Sequence, residues 1–408
     1  MSILQESQKA VGHILQKSGA AERGRTPHVI LVLPTYLPES YGGAEQQSRK
    51  LAQALVARGM NVTLLAPRIA PETPTTERKD GVLIRRFRLT SLPNLGGRHF
   101  ASFAWWSLRI AFWLWRNRQT YDVIHIIHGR LHAVGPVIGG RLADKPTLIK
   151  FGRGGEQFDI DTVKNKRLFG PQFAAIIRRW TTGFIANSAQ MLVDLDRHGI
   201  GEERVHRIAN GVVMPEIEER NAHVDTSETR FVYMGRLDRE KALDLMIRGF
   251  AGLPSTAAAR LVLVGEGPKQ RELKALATDL GVASRVDFTG RLDDVAPALR
   301  AADFYLSTSF SEGMSNSLLE AMSYGVVPIV SRVSGVEDMV TEGGSGFLFE
   351  AGDIEGFKAA LTRALALDDP GYAGMSRAAR AVLAARFSME SVADQHVDLY
   401  ARIAGERR

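Results

Sequence analysis

Apolar residues come in short continuous runs, separated by glycine-rich or charged loops and by segments with apolar positions three or four residues apart. The run Val29-Ile30-Leu31-Val32-Leu33 fits a parallel strand covered on both faces. Past Pro34–Ser40 and Tyr41-Gly42-Gly43-Ala44-Glu45, the residues Leu51, Ala54, Leu55 and Val56 mark one side of a helix ending at Gly59. Val62–Ala66 reads as the next strand, which completes a β-loop-α-β unit. Asp122–Ile127, Leu148–Phe151 and Phe184–Ala186 read as further strands. The second half restarts the scheme with strands at Phe231–Met234, Leu261–Val264, Val286–Arg291, Phe304–Leu306 and Val326–Val330. Ser334–Glu337 and Gly346–Leu348 are expected to complete its edge, and Ser388–Ile403 reads as a last helix. Strands and helices alternating twice over predict an α/β protein of two doubly wound parallel sheets.

A chain of 408 residues has room for about two domains. Pro215 and a charged, apolar-poor run place the linker near 211–228. The expected segments are an N-terminal extension (1–26), a first domain (27–212), a second domain (213–387) and a C-terminal helix (388–408).

The stretch Ser311 to Met322 concentrates the candidate chemistry. A strand, a polar loop and a helix holding Leu318, Leu319 and Met322 follow one another. Ser315 and Asn316 can cap that helix, turning free N–H groups and the positive end of its dipole toward the loop. A phosphate or a sugar hydroxyl fits such a place. Glu312 lies in the loop and Glu320 eight residues on, so two carboxylates can accept hydrogen bonds from two sets of hydroxyls. An ordinary acidic helix start has the same spacing. Arg236 and Lys241 follow a strand end and suit a diphosphate, although surface charge is the commoner fate of such a pair. Gly42 and Gly43 stand just before a helix start, either for close approach to a phosphate or as a plain turn.

Asp122–Gly129 ends in His-Gly at the strand edge where ligands bind in such sheets, which makes His128 a cleft candidate and His125 a weaker one. The loop Gly152-Arg153-Gly154-Gly155-Glu156 offers Arg153 and Glu156 to a donor or an acceptor. Asp159-Ile160-Asp161 has the form of a metal-binding D-x-D, a pattern too short to carry that assignment.

These motifs together resemble the retaining GT-B glycosyltransferases that carry an E-x7-E signature, the group that includes sucrose-phosphate synthases and mannosyltransferases. Glu312, Gly313, Met314, Asn316 and the block Leu319-Glu320-Ala321-Met322 carry the resemblance. So do Gly235-Arg236-Leu237 with Lys241, Gly42-Gly43-Ala44-Glu45 and Asn210-Gly211-Val212. The resemblance implies a GT-B fold, two Rossmann-like domains facing across a cleft, and sugar transfer from a nucleoside-diphosphate sugar with retention. It implies that Glu312 contacts the donor sugar and Glu320 the nucleotide ribose. Gly235, Gly313, Met314, Ser315, Asn316, Leu319, Gly42 and Gly43 would line the donor. Arg236 and Lys241 would take the diphosphate, with no cofactor and no essential metal. His128 joins them as a catalytic candidate, and His125, Arg153 and Glu156 stand on the acceptor side. Two departures are visible: His-x-x-His-Gly replaces the family's His-x-His-Gly, and Ala242 stands where the family often has Gly.

Charge divides the chain. Residues 1–200 hold 28 Lys and Arg against 14 Asp and Glu, a balance of +14, and residues 201–408 hold 24 against 31, or −7, which together give the net +7. A basic first half suggests an anionic partner such as a glycan, a lipid-linked phosphate or a membrane surface. Nucleic acid is not expected, because zinc-finger and RNP-type patterns are absent. Residues 98–118 carry four of the five tryptophans among arginines at helical spacing, with Arg85, Arg86 and Arg88 nearby. This is a core helix, one lying at the inner face of a membrane, or a contact for a partner. The absence of cysteine excludes disulfides and cysteine nucleophiles and fits a reducing cytoplasm. Met1–Thr26 is polar, without the apolar core of a secretory signal, and no run of apolar residues is long enough to span a bilayer. The expectation is a cytoplasmic enzyme in envelope or exopolysaccharide synthesis. Its rivals are a nucleotide-sugar epimerase on a related two-Rossmann fold and a non-catalytic nucleotide-sugar-binding module. A dehydrogenase is disfavoured, since no G-x-G-x-x-G follows the first strand.

Overall fold

The computed structural model describes residues 26–89, 100–152, 158–217 and 228–406. Its first half holds β1 (His28–Val32), α1 (Gly43–Ala57), β2 (Asn61–Arg68), β3 (Thr76–Lys79), β4 (Val82–Arg88), α2 (Phe100–Arg116) and β5 (Val123–Ile127). It continues with α3 (Val134–Ala143), β6 (Thr147–Lys150), α4 (Asp159–Lys164), α5 (Gly170–Trp180), β7 (Gly183–Ala186), α6 (Ala189–Arg197) and β8 (Val205–Arg207). The second half holds β9 (Thr229–Met234), α7 (Leu243–Ala251), β10 (Ala259–Val264), α8 (Gln270–Asp279), β11 (Val286–Gly290), α9 (Ala296–Ala301), β12 (Phe304–Ser307) and α10 (Asn316–Ser323). It closes with β13 (Val327–Arg332), β14 (Phe347–Glu350), α11 (Ile354–Leu365), α12 (Asp369–Arg386) and α13 (Met389–Gly405).

These strands form two sheets, β3-β4-β2-β1-β5-β6-β7-β8 and β11-β10-β9-β12-β13-β14. Apart from the antiparallel β3–β4 hairpin, the pairings are parallel. The hairpin was not foreseen from the apolar pattern. Its two-residue turn has Asp80 at φ 51° and Gly81 at φ 78°, the left-handed pair that an Asp-Gly turn between twisted strands requires. Ser334–Glu337, expected at the sheet edge, is a turn that precedes β14.

Each sheet is covered on both faces. Ile30, Val32, Ile124 and Ile126 face a layer made by α2 to α6, while Val29, Leu31, Val123 and Ile127 face α1 and α13. α2 and α3 approach closely because Gly135 and Gly139 lie opposite Ser107 and Ala111. A Cβ on either glycine would come within 2.8 Å of that helix's backbone. The inward side of α2 carries Trp106, Ile110 and Leu114, so the core reading of this helix holds for that side. Arg86, expected to add surface charge, is buried and donates to the carbonyls of Leu37 and Pro74 and to Glu77.

The chain passes between the two sheets twice, and the crossings are bonded to one another. Val212 N–H donates to Phe387 and Met389 N–H donates back to Val212, at 2.8 Å each. α13 then returns to the first sheet, burying Val392, Leu399, Tyr400 and Ile403 against α1 and β5. Here the structure corrects one expectation. His125 points to this interface and not to the cleft: it is fully buried, bonded through Nδ1 to the Tyr400 hydroxyl and stacked on His396 at 5.6 Å. As the third residue of β5 it lies on the opposite face from Ile124 and Ile126.

Burial sets the acid response of this layer. It holds His125 well below the usual histidine range and pushes His132 and His396 down to about 3. Burial likewise lowers Lys150 to about 7. Below about 6.5 the unfolded chain takes up protons that these folded histidines refuse. Stability therefore falls as pH drops from about 6.5 toward 3, by about 1.4 kcal/mol per pH unit for each histidine. Lys150 adds a separate rise of stability between pH 7 and its ordinary value of 10.5. Urea denaturation of His396→Leu against the native chain between pH 6.5 and 4.5 should show a slope smaller by about 1.4 kcal/mol per pH unit. An unchanged slope would mean that His396 protonates in the folded state.

Candidate functional site

Strand order reverses at β1 in the first sheet and at β9 in the second, so the loops after β1, β5, β9 and β12 open where doubly wound sheets bind ligands. The sequence candidates fall on these loops. After β9, Gly235 takes φ 155° and the chain turns through exposed Arg236 to Lys241. The loop after β10 packs directly on this turn, since a Cβ on Gly265 would stand 1.9 Å from the Gly235 carbonyl oxygen. Ala242 adopts φ 47°, a left-handed conformation that alanine disfavours, at the start of α7. The departure from glycine is thus absorbed at the helix start, and the Lys241 side chain keeps its place on the cleft side.

After β12, Ser315 caps α10 by accepting from Leu318 N–H at 3.3 Å. Glu312 stands in the loop and accepts from Lys241 Nζ at 2.5 Å and Ser309 Oγ at 2.8 Å. Glu320, one turn after Asn316, faces the other domain, where Lys50 of α1 meets it at 2.6 Å. Asn316 also reaches across, donating to the Gly43 carbonyl at 3.2 Å and accepting from Asn210 at 2.8 Å. Gly42 and Gly43 begin α1 at this contact, and a Cβ on Gly43 would meet Asn316 at 2.8 Å. Glu45 is buried and holds their loop, accepting from Thr35 and, at 2.8 Å, from Ser40.

Leu319 differs from the expectation that it lines a ligand, whereas Met314 lines the inter-domain cavity beside Asn210 and Asn316. Leu319 has its side chain fully buried in the second-domain core and offers the site no side-chain surface. Met314 is largely buried, and its Sδ lies 3.2 Å from the backbone N of Asn210. Gly313 is buried under Ser334, whose hydroxyl reaches its carbonyl at 3.4 Å.

His128 caps β5 at φ 69° and lines an inter-domain cavity of about 130 Å³ with Lys150, Gly152, Asn187, Asn210 and Asn316. The backbone of Gly152 passes so close that a Cβ there would lie 1.8 Å from His128 Nδ1. Gly129 is required in the same way, facing the Phe151 ring at 2.3 Å. Beneath them Asp159, fully buried, accepts from Gly129 N–H, Gly152 N–H and Arg130 Nε at 3.0 to 3.1 Å. Its oxygen is 3.7 Å from His128 Nδ1, an electrostatic contact too long for a hydrogen bond. Burial alone would raise the Asp159 pKa; His128, Arg130 and the Gly152 N–H reverse this and hold it well below the carboxylate range. Asp159 therefore serves inside the protein, and the partly exposed Asp161 meets His198 at 3.1 Å. Arg153 and Glu156 lie outside the described residues.

Residue reasoning passed over Lys50 and Lys150, named Asn210 only as part of the Asn210-Gly211-Val212 turn, and considered Asp159 only as a metal ligand. A lysine closing the apolar run Leu148-Ile149-Lys150 was a readable signal, since its Nζ is buried and donates to Ala209 at 3.0 Å. Lys50 carried none beyond lying two turns from Gly43 on one helix face.

Comparison with known proteins finds relatives of both halves of the chain. The family model described as Glycosyltransferase Family 4 matches residues 41–214, and the one described as Glycosyl transferases group 1 matches residues 215–382. The chain is similar to N-acetyl-alpha-D-glucosaminyl L-malate synthase of Bacillus anthracis, with 30% identity over 293 residues, 70% of this chain and 75% of that one. It is 33% identical over 168 residues to the lipopolysaccharide core biosynthesis glycosyltransferase LpsE of Rhizobium meliloti. That match covers 41% of this chain and about half, 48%, of LpsE. The crystal structure of Anabaena HepE in complex with UDP shares the fold, with a TM-score of 0.72 and 20% identity across 91% of this chain and 99% of HepE.

Removing the carboxylate under His128 should be costly. Asp159→Ala leaves two buried N–H groups and a guanidinium without their acceptor, a loss of about 3 kcal/mol in denaturant unfolding. Asp159→Asn, which keeps one oxygen in place, should lose clearly less. Equal losses would show that packing, and not hydrogen bonding, holds this loop.

Proposed function

The chain belongs to the group 1 glycosyltransferases, and on that premise we propose that it transfers a sugar, with retention, from a nucleoside-diphosphate sugar to a glycan or lipid-linked acceptor. The observation that carries this reading is the Lys241–Glu312 pair beside the capped start of α10, whose Asn316 and Glu320 meet Gly43, Asn210 and Lys50 of the first domain. Arg236 and Lys241 take the diphosphate, and their charge neutralises the leaving nucleoside diphosphate without an essential metal. Glu320 accepts the ribose hydroxyls, and Glu312 accepts from the donor sugar. His128, oriented by Gly152 and Asp159, faces the sugar from the first domain. The acceptor approaches over the basic first half.

Retention follows from attack on the face that the phosphate leaves. The bond from C1 to the phosphate oxygen breaks, the bond from C1 to the acceptor oxygen forms, and the acceptor's proton passes to the departing phosphate. Similarity to LpsE, a glycosyltransferase of lipopolysaccharide core biosynthesis, supports a place in cell-envelope or exopolysaccharide synthesis, and the basic, aromatic first half supports a place at the cytoplasmic face of the membrane.

Thermal-shift binding against UDP, GDP, ADP and dTDP and their sugars tests the donor site. A ligand at a hundred times its Kd adds about 2.7 kcal/mol to stability, so one nucleotide series should raise the melting temperature, and Glu320→Ala should abolish the rise. No shift from well-folded protein with any of them would defeat the assignment.

Lys50 gives a second test. Ribose hydroxyls must take Glu320 from Lys50, and a partly exposed ion pair is worth about 1 kcal/mol or less. Lys50→Met should therefore tighten nucleoside-diphosphate binding by up to about fivefold, read by titration calorimetry. Weaker binding would mean that Lys50 holds the ligand itself.

A further inference from the structure

We propose that the helical layer made by α2, α3 and α5 is a docking face for an anionic lipid surface. The outward side of α2 carries Trp105, Leu108, Phe112 and Trp115, which are 62%, 62%, 62% and 40% exposed. Their spacing of three, four and three residues makes one continuous stripe about 15 Å long on the side opposite Trp106, Ile110 and Leu114. A helix covering a sheet normally turns polar residues to water on this side, and α2 instead is apolar on both. Exposed Arg109 and Arg116 edge the stripe, and Arg118 lies over the Trp115 ring at 5.4 Å.

The neighbouring helices extend the pattern. In a parallel sheet each connecting helix runs opposite to its strands, so helix C-termini collect along one rim. At that rim α2 ends in Trp115-Arg116, α3 in exposed Arg141-Leu142 and α5 in exposed Arg179-Trp180. None of the three helices contains an Asp or Glu, Asp144 at the α3 cap being the acid at this rim, and the run 81–121 has seven arginines and no acid.

This composition selects the partner. Tryptophan and phenylalanine enter the headgroup boundary, and arginines gain from anionic lipid around them. A two-fold pair of this chain would set the same acid-free arginines against each other, because such an interface uses one patch twice. Among the described residues no helix is long and apolar enough to cross a membrane, so the contact is peripheral. The face lies outside the cleft, and the proposal stands or falls independently of the donor site.

Vesicle flotation of the full chain tests it. The native protein should float with vesicles of two parts phosphatidylcholine to one part phosphatidylglycerol, be released at high salt, and stay behind with pure phosphatidylcholine. Trp105→Ser with Phe112→Ser should abolish flotation with circular dichroism unchanged. Arg109→Ser and Arg116→Ser should each lower partition about fivefold. Failure to float, equal binding to both vesicle types, or variants that float like the native chain would overturn the proposal. So would a dimer, seen by light scattering in the absence of vesicle binding and lost in Trp105→Ser/Phe112→Ser, which would assign the face to a second copy.

Discussion

Glu320 belongs to one domain and its lysine to the other. That division organises the cleft. Two carboxylates, Glu312 and Glu320, flank the start of α10, and each is neutralised by a lysine of different origin. Lys241 reaches Glu312 from the same domain, so that pair is fixed by the packing of the loops after β9 and β12. Lys50 reaches Glu320 from α1, so this pair exists only while the domains stand at this distance. Gly43 and Asn210 share the contact through Asn316. A ligand that takes Glu320 must therefore displace a bond between domains. Its binding free energy and the domain equilibrium are linked, with a coupling limited to what the ion pair itself is worth.

Backbone proximity is the second constraint, and it explains several glycines at once. Where a loop must pass beneath a functional group, the only spare volume is that of the missing Cβ. Gly152 lets His128 lie on the chain, Gly265 lets two strand-end loops touch, and Gly43 lets α1 meet Asn316. Asp159 completes the arrangement around His128. One buried carboxylate accepts from two loop N–H groups and a guanidinium, so the loops after β5 and β6 are fixed relative to each other. The left-handed His128 is held from both sides, by Phe151 through Gly129 and by Gly152 directly.

The two sheets and most of their strands were legible because a doubly covered parallel strand must be apolar along its whole length. The Glu312 and Lys241 loops were legible because they follow such strands. Three features were not. The β3–β4 hairpin alternates polar and apolar positions over few residues, and its Asp80-Gly81 turn was the readable signal. His125 looked like a cleft residue because it shares a strand end with His128, yet sheet alternation sends it to the other face, where α13 covers it. Its bonded partner there, Tyr400, lies 275 residues further along the chain, and no local pattern carries it. Lys50 is invisible for the same reason: its role is defined by Glu320 in another domain, and on its own helix it is one polar residue among several.

The charge asymmetry of the chain now has a physical distribution. Part of the basic excess in the first half is spent inside the fold: Arg86 binds carbonyls, Arg130 binds Asp159, and Lys150 is buried behind the cavity. What remains outside is not spread evenly. Part of it edges the apolar stripe of α2, which carries no acidic residue, and the helix ends at the sheet rim, where Asp144 caps α3. An acidic second domain close to the same surface would be repelled by anionic lipid. On the proposed docking the two halves would orient the protein, the basic helical layer toward the anionic surface and the acidic half away from it. On the proposed reading an anionic diphosphate enters a half of net charge −7, so its hold rests on the local cations Arg236 and Lys241 and not on that half's overall charge.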